Sequence, residues 1–206
     1  MEEGKREFLE VEVEGKKYLI LDSGITDEDF VVPPASIINK VYKFLCSQLR
    51  SIPFYDIIAI IKAFYKSKRY DKTLTFIEFL VDNITISPEP IFTLRWLMPV
   101  QTHCLRALKR PQQAIEIFEK ECKRLADGVP LALVNCSLIE VEKFHLITPY
   151  WVTSISGAYC DVGQNDKAQT VIEMADFSDE ERENQFFKAL IERIYGKKNK
   201  EERVSK

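Results

Sequence analysis

Two histidines and five cysteines are the residues of this 206-residue chain most able to do chemistry as bases, nucleophiles or metal ligands. His103 and His145 stand at metal-ligand spacing from neither another histidine nor a cysteine pair. His103 precedes Cys104, which would suit a base beside a thiol nucleophile. Neighbouring residues of a helix point in different directions, however, so the pair reads as structural. Cys46, Cys104, Cys122, Cys136 and Cys160 are far apart and form no Cys-x-x-Cys pair, so they read as small core residues of a reducing compartment. None of the seven glycines builds a phosphate-cradling loop; Gly157 and Gly163 suit a helix contact and a helix stop. Carboxylates are abundant but scattered. The expectation is a protein without catalytic activity, metal, cofactor or small-molecule substrate.

Hydrophobic residues make up 46% of the chain, enough for one large domain or an extended array with a continuous core. Lys and Arg number 29 against 32 Asp and Glu, a net charge of -3, which argues against binding nucleic acid by charge alone. The start, MEEGKREFLE, has no apolar run of signal-peptide length and is unlike an Arg-rich transit peptide. The most apolar stretch, 57–64, is interrupted by Lys62 and followed by Lys66, Lys68 and Arg69, so no membrane insertion is expected. These features point to a soluble intracellular protein, cytoplasmic or alternatively organellar (mitochondrial).

Around the candidate residues the chain is patterned mainly for helix. Residues 8–13 alternate apolar and acidic, and 18–21 form a second apolar run after Glu14-Gly15-Lys16, which predicts a small β-hairpin. The polar, proline-stopped stretch DSGITDEDFVVPP predicts a linker, with Asp22-Ser23-Gly24 as an Asx-type turn. From Ala35 the period is helical. Ile38, Val41, Tyr42, Leu45 and Leu49 share a stripe after Pro33-Pro34. Ser51 and Pro53 open a helix with Ile57, Ile60, Ile61 and Phe64 inward, and the chain reverses at 68–71 into Leu74, Ile77, Phe79, Leu80 and Ile84. Pro99 requires a kink or a new helix start within 91–108. Ala114, Ile115, Phe118, Cys122 and Leu125 follow a turn at 109–111, and residues 129–147 fit helix or a buried extended run, with helix favoured by the surroundings.

The clearest unit is 150–175: Val152, Ile155 and Tyr159 on one helix, a Gly-Gln-Asn-Asp turn, then Ala168, Val171, Ile172 and Ala175 on another. Gly163 can end the first helix in a left-handed conformation, and Asp166 can cap the second. Ser178 and Glu181 form a capping box before a helix carrying Phe186, Phe187, Leu190, Ile191 and Ile194, which Gly196 stops. The domain reading is a β-hairpin and linker over 1–34, stacked helical hairpins over 35–196 and a charged tail over 197–206.

Three hairpins align as AFYKSKRYDKTLTFIEFL, CLRALKRPQQAIEIFEKE and AYCDVGQNDKAQTVIEMA. Each has an apolar helix end, a short polar turn, a small residue (Thr73, Ala114, Ala168) and a large apolar one four residues on (Ile77, Phe118, Ile172). A small residue lets two helix backbones approach and the large one fills the groove, so stacked copies share a core no single copy could bury. The arrangement resembles the tetratricopeptide repeat and, nearly as well, the pentatricopeptide repeat. The third copy matches best, with Ile155, Tyr159, Gly163, Ala168 and Ala175 in place. The second departs most, having Gln101 and Thr102 at core positions, and the small residues lie 41 and 54 residues apart, longer than either family's unit.

The resemblance implies a mainly all-α fold, an α-α superhelix or solenoid of such hairpins with the small N-terminal β-hairpin beside it. It also implies a concave groove lined by the first helix of each hairpin, carrying Tyr55, Lys62 and Lys66, then Trp96, His103 and Arg106, then Tyr150, Thr153 and Asp161. Aromatic and long cationic side chains suit acidic or extended peptides. The Lys-x-x-x-Asn pattern of members that clamp a C-terminal carboxylate is absent from all three copies. The expected function is a protein–protein interaction scaffold or adaptor, a subunit of a multi-subunit complex. The alternative is RNA binding of the pentatricopeptide kind, or residence in an organellar ribonucleoprotein, to which the basic turns at 66–72 and Lys109-Arg110 would contribute.

Overall fold

In a computed structural model the described residues are 8–83, 90–126, 148–173, 175 and 177–196, without the side chains of 90–95 and 121–126. They are mostly helical, with a three-stranded antiparallel sheet near the N-terminus. The chain forms two compact units, Met1–Ser87 and Pro88–Lys206. Among the described residues no helix is long and apolar enough to cross a membrane. Ile84, Cys122, Leu125, the 129–147 segment and the 197–206 tail of the sequence reading lie outside what is described.

In the first unit, β1 (Leu9–Val13) pairs with β2 (Lys16–Leu21) through a two-residue loop. Glu14 and Gly15 both have positive φ, 55° and 73°, the condition for a hairpin turn whose twist matches the strands. The expected hairpin is therefore present, but it is not the whole sheet. Gly24–Asp27, expected in the linker, is a third strand, β3, paired with β2 across the Asp22-Ser23 turn. Its Ile25 is buried with Ile20, Val11 and Tyr18, and this apolar burial is what recruits so short a run into the sheet.

β2 and β3 pack against α2 (Phe54–Lys66), and α1 (Ala35–Gln48) packs against β1. A 3₁₀ turn, Leu49–Ser51, closes α1; the Ser51 hydroxyl donates to the Gln48 carbonyl, and Pro53 rather than Ser51 stands at the N-terminus of α2. Ile57, Ile60, Ile61 and Phe64 are buried as expected. On α3 (Tyr70–Asp82) the buried aromatic is Phe76, not Phe79, because Phe76 continues the Thr73–Ile77–Leu80 stripe at helical spacing. Its ring stacks on Phe64 at 5.5 Å, while Tyr42 of α1 meets both edge-on and shares a hydrogen bond with Thr75.

In the second unit, α4 (Pro90–Ala107) is one helix with Pro99 inside it, not a new helix start. α5 (Pro111–Ala126) folds back on it, and α6 (Pro149–Asp161) packs against both. Contacts of Thr102 with Trp151 and of Arg106 with Asp161 advance together along α4 and α6, so these helices run parallel. α7 (Asn165–Ile172) folds back on α6. Asp166 lies inside its first turn and makes no side-chain cap; Gln164 holds the cap position, so the aspartate acts only through its charge near the helix N-terminus. The helix ends at Ile172, leaving Ala175 in a bend. The Ser178–Glu181 capping box forms, but it starts only the short α8 (Asp179–Glu183). Asn184, extended at ψ 133°, breaks the expected continuous helix and caps α9 (Gln185–Tyr195) by accepting from the Phe186 amide at 2.8 Å. α9 packs against α6 and α7.

One turn occurs three times. At Lys68, Lys109 and Gly163 the residue two past the helix end has φ of 56°, 61° and 77°. In each, its amide donates three residues back (to Tyr65, Arg106 and Cys160), and the next amide donates five back (to Phe64, Leu105 and Tyr159). This pair of bonds is the Schellman motif, which satisfies carbonyls a helix end would leave orphaned. The next helix begins immediately after. Thr73, Ala114 and Ala168 all follow the left-handed residue by five and are buried; Ile77, Phe118 and Ile172 follow by nine and are buried.

Candidate interaction surface

Of the nine residues expected to face a groove, Tyr55, Lys62 and Lys66 lie on α2 in the first unit. Tyr55 is 64% exposed in the first helical turn, its ring edge-on to Phe54. Lys62 reaches Asp22 in the β2–β3 turn at 2.8 Å, which ties α2 to the sheet, and Lys66 is exposed at the end of the helix. The other six lie on α4 and α6 in the second unit. Trp96 is half-buried and Tyr150 exposed, whereas Thr153 returns its hydroxyl to the Pro149 carbonyl.

Arg106 and Asp161 come together. The Arg106 Nε donates to one Asp161 carboxylate oxygen at 2.8 Å, and Arg193 of α9 donates to the other at 2.8 Å. Gly157 makes this possible: a Cβ there would stand 2.4–2.5 Å from the Arg106 guanidinium, so only a bare backbone lets the group lie across α6. Burial alone would raise the Asp161 pKa, but hydrogen bonds and charge from Arg106 and Arg193 outweigh it and hold the carboxyl below the usual range. One turn earlier on α4, His103 is half-buried; burial first, then the Arg106 charge, lowers its pKa. The adjacent Cys104 is fully buried and its thiol is pushed up to about 12, so it carries no thiolate at neutral pH.

Further polar bonds join the helices of this unit. The Trp151 indole N–H donates to the Thr102 hydroxyl at 3.1 Å, and that hydroxyl donates to the Met98 carbonyl at 2.9 Å. Trp151 also lies edge-on to Phe118 at 5.1 Å. The Tyr159 hydroxyl donates to Glu119 of α5 at 2.9 Å, and Lys167 of α7 reaches the same carboxylate at 3.3 Å. Thr102, a departure from the repeat pattern, is thus the partner of a buried indole. Sequence reasoning passed over Arg193 and Gly157 as part of this arrangement; only the small size of Gly157 at a helix contact was visible. Among the described residues no group of three or more His, Cys, Asp or Glu is placed to hold a metal ion. Compared with family models, curated proteins and solved structures, the chain matches none.

Proposed function

We propose that this protein is a non-catalytic protein-interaction module, a scaffold or adaptor within a multi-subunit intracellular assembly, whose hairpins are copies of one tetratricopeptide-like solenoid repeat. The recurrence of one Schellman turn, with a small and a large buried residue at fixed distances after it, carries the reading. Parallel first helices α4 and α6, with α6 against both members of the preceding hairpin, fit the same repeat. The first helices carry exposed Tyr55, Lys66 and Tyr150 and half-buried Trp96, while Lys62 and Arg106 are already paired with Asp22 and Asp161; aromatic anchors beside a lysine suit extended peptides.

Exposed Lys66, Lys68, Lys109 and Arg110 around two of the turns favour RNA as the second reading. Affinity purification of the tagged full chain from its native cells, with and without ribonuclease, separates the two. Stoichiometric proteins retained after digestion are the expected result; loss of every partner on digestion would replace the scaffold reading with the RNA one.

A further inference from the structure

Between β3 and α1 the chain holds three consecutive apolar residues in water: Phe30, Val31 and Val32 are 67%, 58% and 70% exposed. Single exposed apolar residues are ordinary, but a contiguous run is not. Nor is the run slack. The Asp27 carboxylate accepts from the Asp29 amide at 3.0 Å and the Val31 amide at 2.9 Å. The Asp27 amide donates to the Val31 carbonyl and the Phe30 amide to the Asp27 carbonyl. On the far side Pro33 is buried, and Pro34, extended at ψ 157°, holds the cap position before α1. Pinned at both ends, Phe30 adopts φ 59°, a left-handed conformation unusual for a bulky side chain. Strain of this kind persists only where surrounding bonds enforce it, and it clusters at functional sites.

Charge decides the partner's chemistry. Residues 18–39 contain four carboxylates, Asp22, Asp27, Glu28 and Asp29, and neither lysine nor arginine. Asp22 is matched by Lys62 and Asp27 is engaged in the turn; Lys17 of β2 feels the Glu28 charge but is ion-paired with Glu10 at 2.9 Å, so Glu28 and Asp29 stay exposed beside the apolar triplet with a net negative charge. An anionic membrane surface would repel them. A second copy docked with its two-fold axis at Phe30 would bring the Glu28 and Asp29 carboxylates of both copies together.

We propose that the 27–34 loop is a preformed docking element for another protein: Phe30 inserts into an apolar pocket whose rim bears lysine or arginine opposite Glu28 and Asp29. Preorganisation by Asp27 and Pro33 means that little ordering remains to be done on binding. The 27–34 loop contains none of the residues assigned to the groove, so either reading can fail without the other.

The test is to replace Phe30 with p-benzoylphenylalanine in the full chain, irradiate the native cells and sequence the crosslinked peptide. The expected adduct joins one site on a different protein, an apolar cleft flanked by lysine or arginine. With that purified protein, Phe30→Ser should weaken binding by roughly 30-fold or more and Phe30→Leu by much less. The pair Glu28→Gln and Asp29→Asn should slow association and remove most of its salt dependence. The melting temperature of Phe30→Ser should match or exceed that of the parent, because its side chain supports no core and a smaller residue tolerates the left-handed backbone better. An adduct confined to this chain, a second copy or lipid, an absence of adduct, undiminished binding by Phe30→Ser, or a lowered melting temperature would each overturn the proposal.

Discussion

The hairpin of the first unit and those of the second use the same turn but different seams. In α2 the residues eight and seven before the left-handed residue are Ile60 and Ile61, and the neighbouring contacts are aromatic, with Phe64, Phe76 and Tyr42 in one cluster. The same positions in α4 and α6 are Gln101-Thr102 and Ile155-Ser156, and the second unit joins its helices through Trp151–Thr102, Tyr159–Glu119 and Arg106–Asp161–Arg193. Turn geometry and the small-residue contact therefore define the hairpin, and the seam is free to be oily or polar. A polar seam gains direction, since each bond fixes one register. It also acquires a dependence on protonation that an aromatic cluster lacks.

The sharpest way to break this comparison is at Trp151. Trp151→Ala should cost about 3–5 kcal/mol, as large aromatic truncations in cores do, and Trp151→Phe about 1–2 kcal/mol because the Thr102 hydroxyl loses its indole donor. Urea midpoints followed by circular dichroism measure both; a neutral Trp151→Phe would show the seam to be apolar in effect. Next in size is Asp161→Asn, expected to cost roughly 1–3 kcal/mol at neutral pH by leaving two arginines poorly matched. The folded Asp161 pKa is depressed, so its stabilisation is complete above the unfolded value of about 3.9 and is lost as pH falls through the folded value. The acid limb of stability should accordingly be shallower in Asp161→Asn. Both tryptophans of the chain, Trp96 and Trp151, belong to the second unit, so fluorescence reads that limb directly.

The turns should respond alike in both units. Lys68→Gly and Lys109→Gly remove a left-handed lysine and should each raise stability by about 0.5–1 kcal/mol, whereas Gly163→Ala should lower it by a similar amount. No atom stands near a Cβ at Gly163, so the last effect isolates backbone strain. Unequal responses would mean that the shared geometry is not shared energetics. The smallest effect belongs to His103. Its pKa is lowered in the folded state, so protonation favours the unfolded chain and stability declines as pH drops below the ordinary histidine value of about 6.5. His103→Gln should flatten that decline in urea midpoints measured between about pH 7 and 5.

Core stripes were legible because burial follows the helical period: Ile57, Ile60, Ile61 and Phe64, or Val152, Ile155 and Tyr159, are buried as their spacing required. Gly24–Asp27 was not legible as a strand, since four residues within an acidic stretch show no alternation to count. The break at Asn184 was hidden because the residues on either side of it are good helix formers, and Asp166 because a carboxylate two places past the cap position is no longer a cap. The partners of Lys62, Arg106 and Asp161 lie 40, 55 and 32 residues away, distances over which a single sequence carries no pairing signal. The exposed triplet at Phe30 reads in the sequence only as part of a polar linker; its rigidity depends on a carboxylate bonded to backbone amides.

Two of the Schellman turns place a lysine next to an arginine, Lys68-Arg69 and Lys109-Arg110. A trypsin-like protease requires several residues drawn out as a strand, and here both amides of each pair are already bonded into the helix before them. These dibasic sites can therefore be cut only during the fraction of time that a helix end is open, and the rate of scission at each is a clock for local opening of its own hairpin.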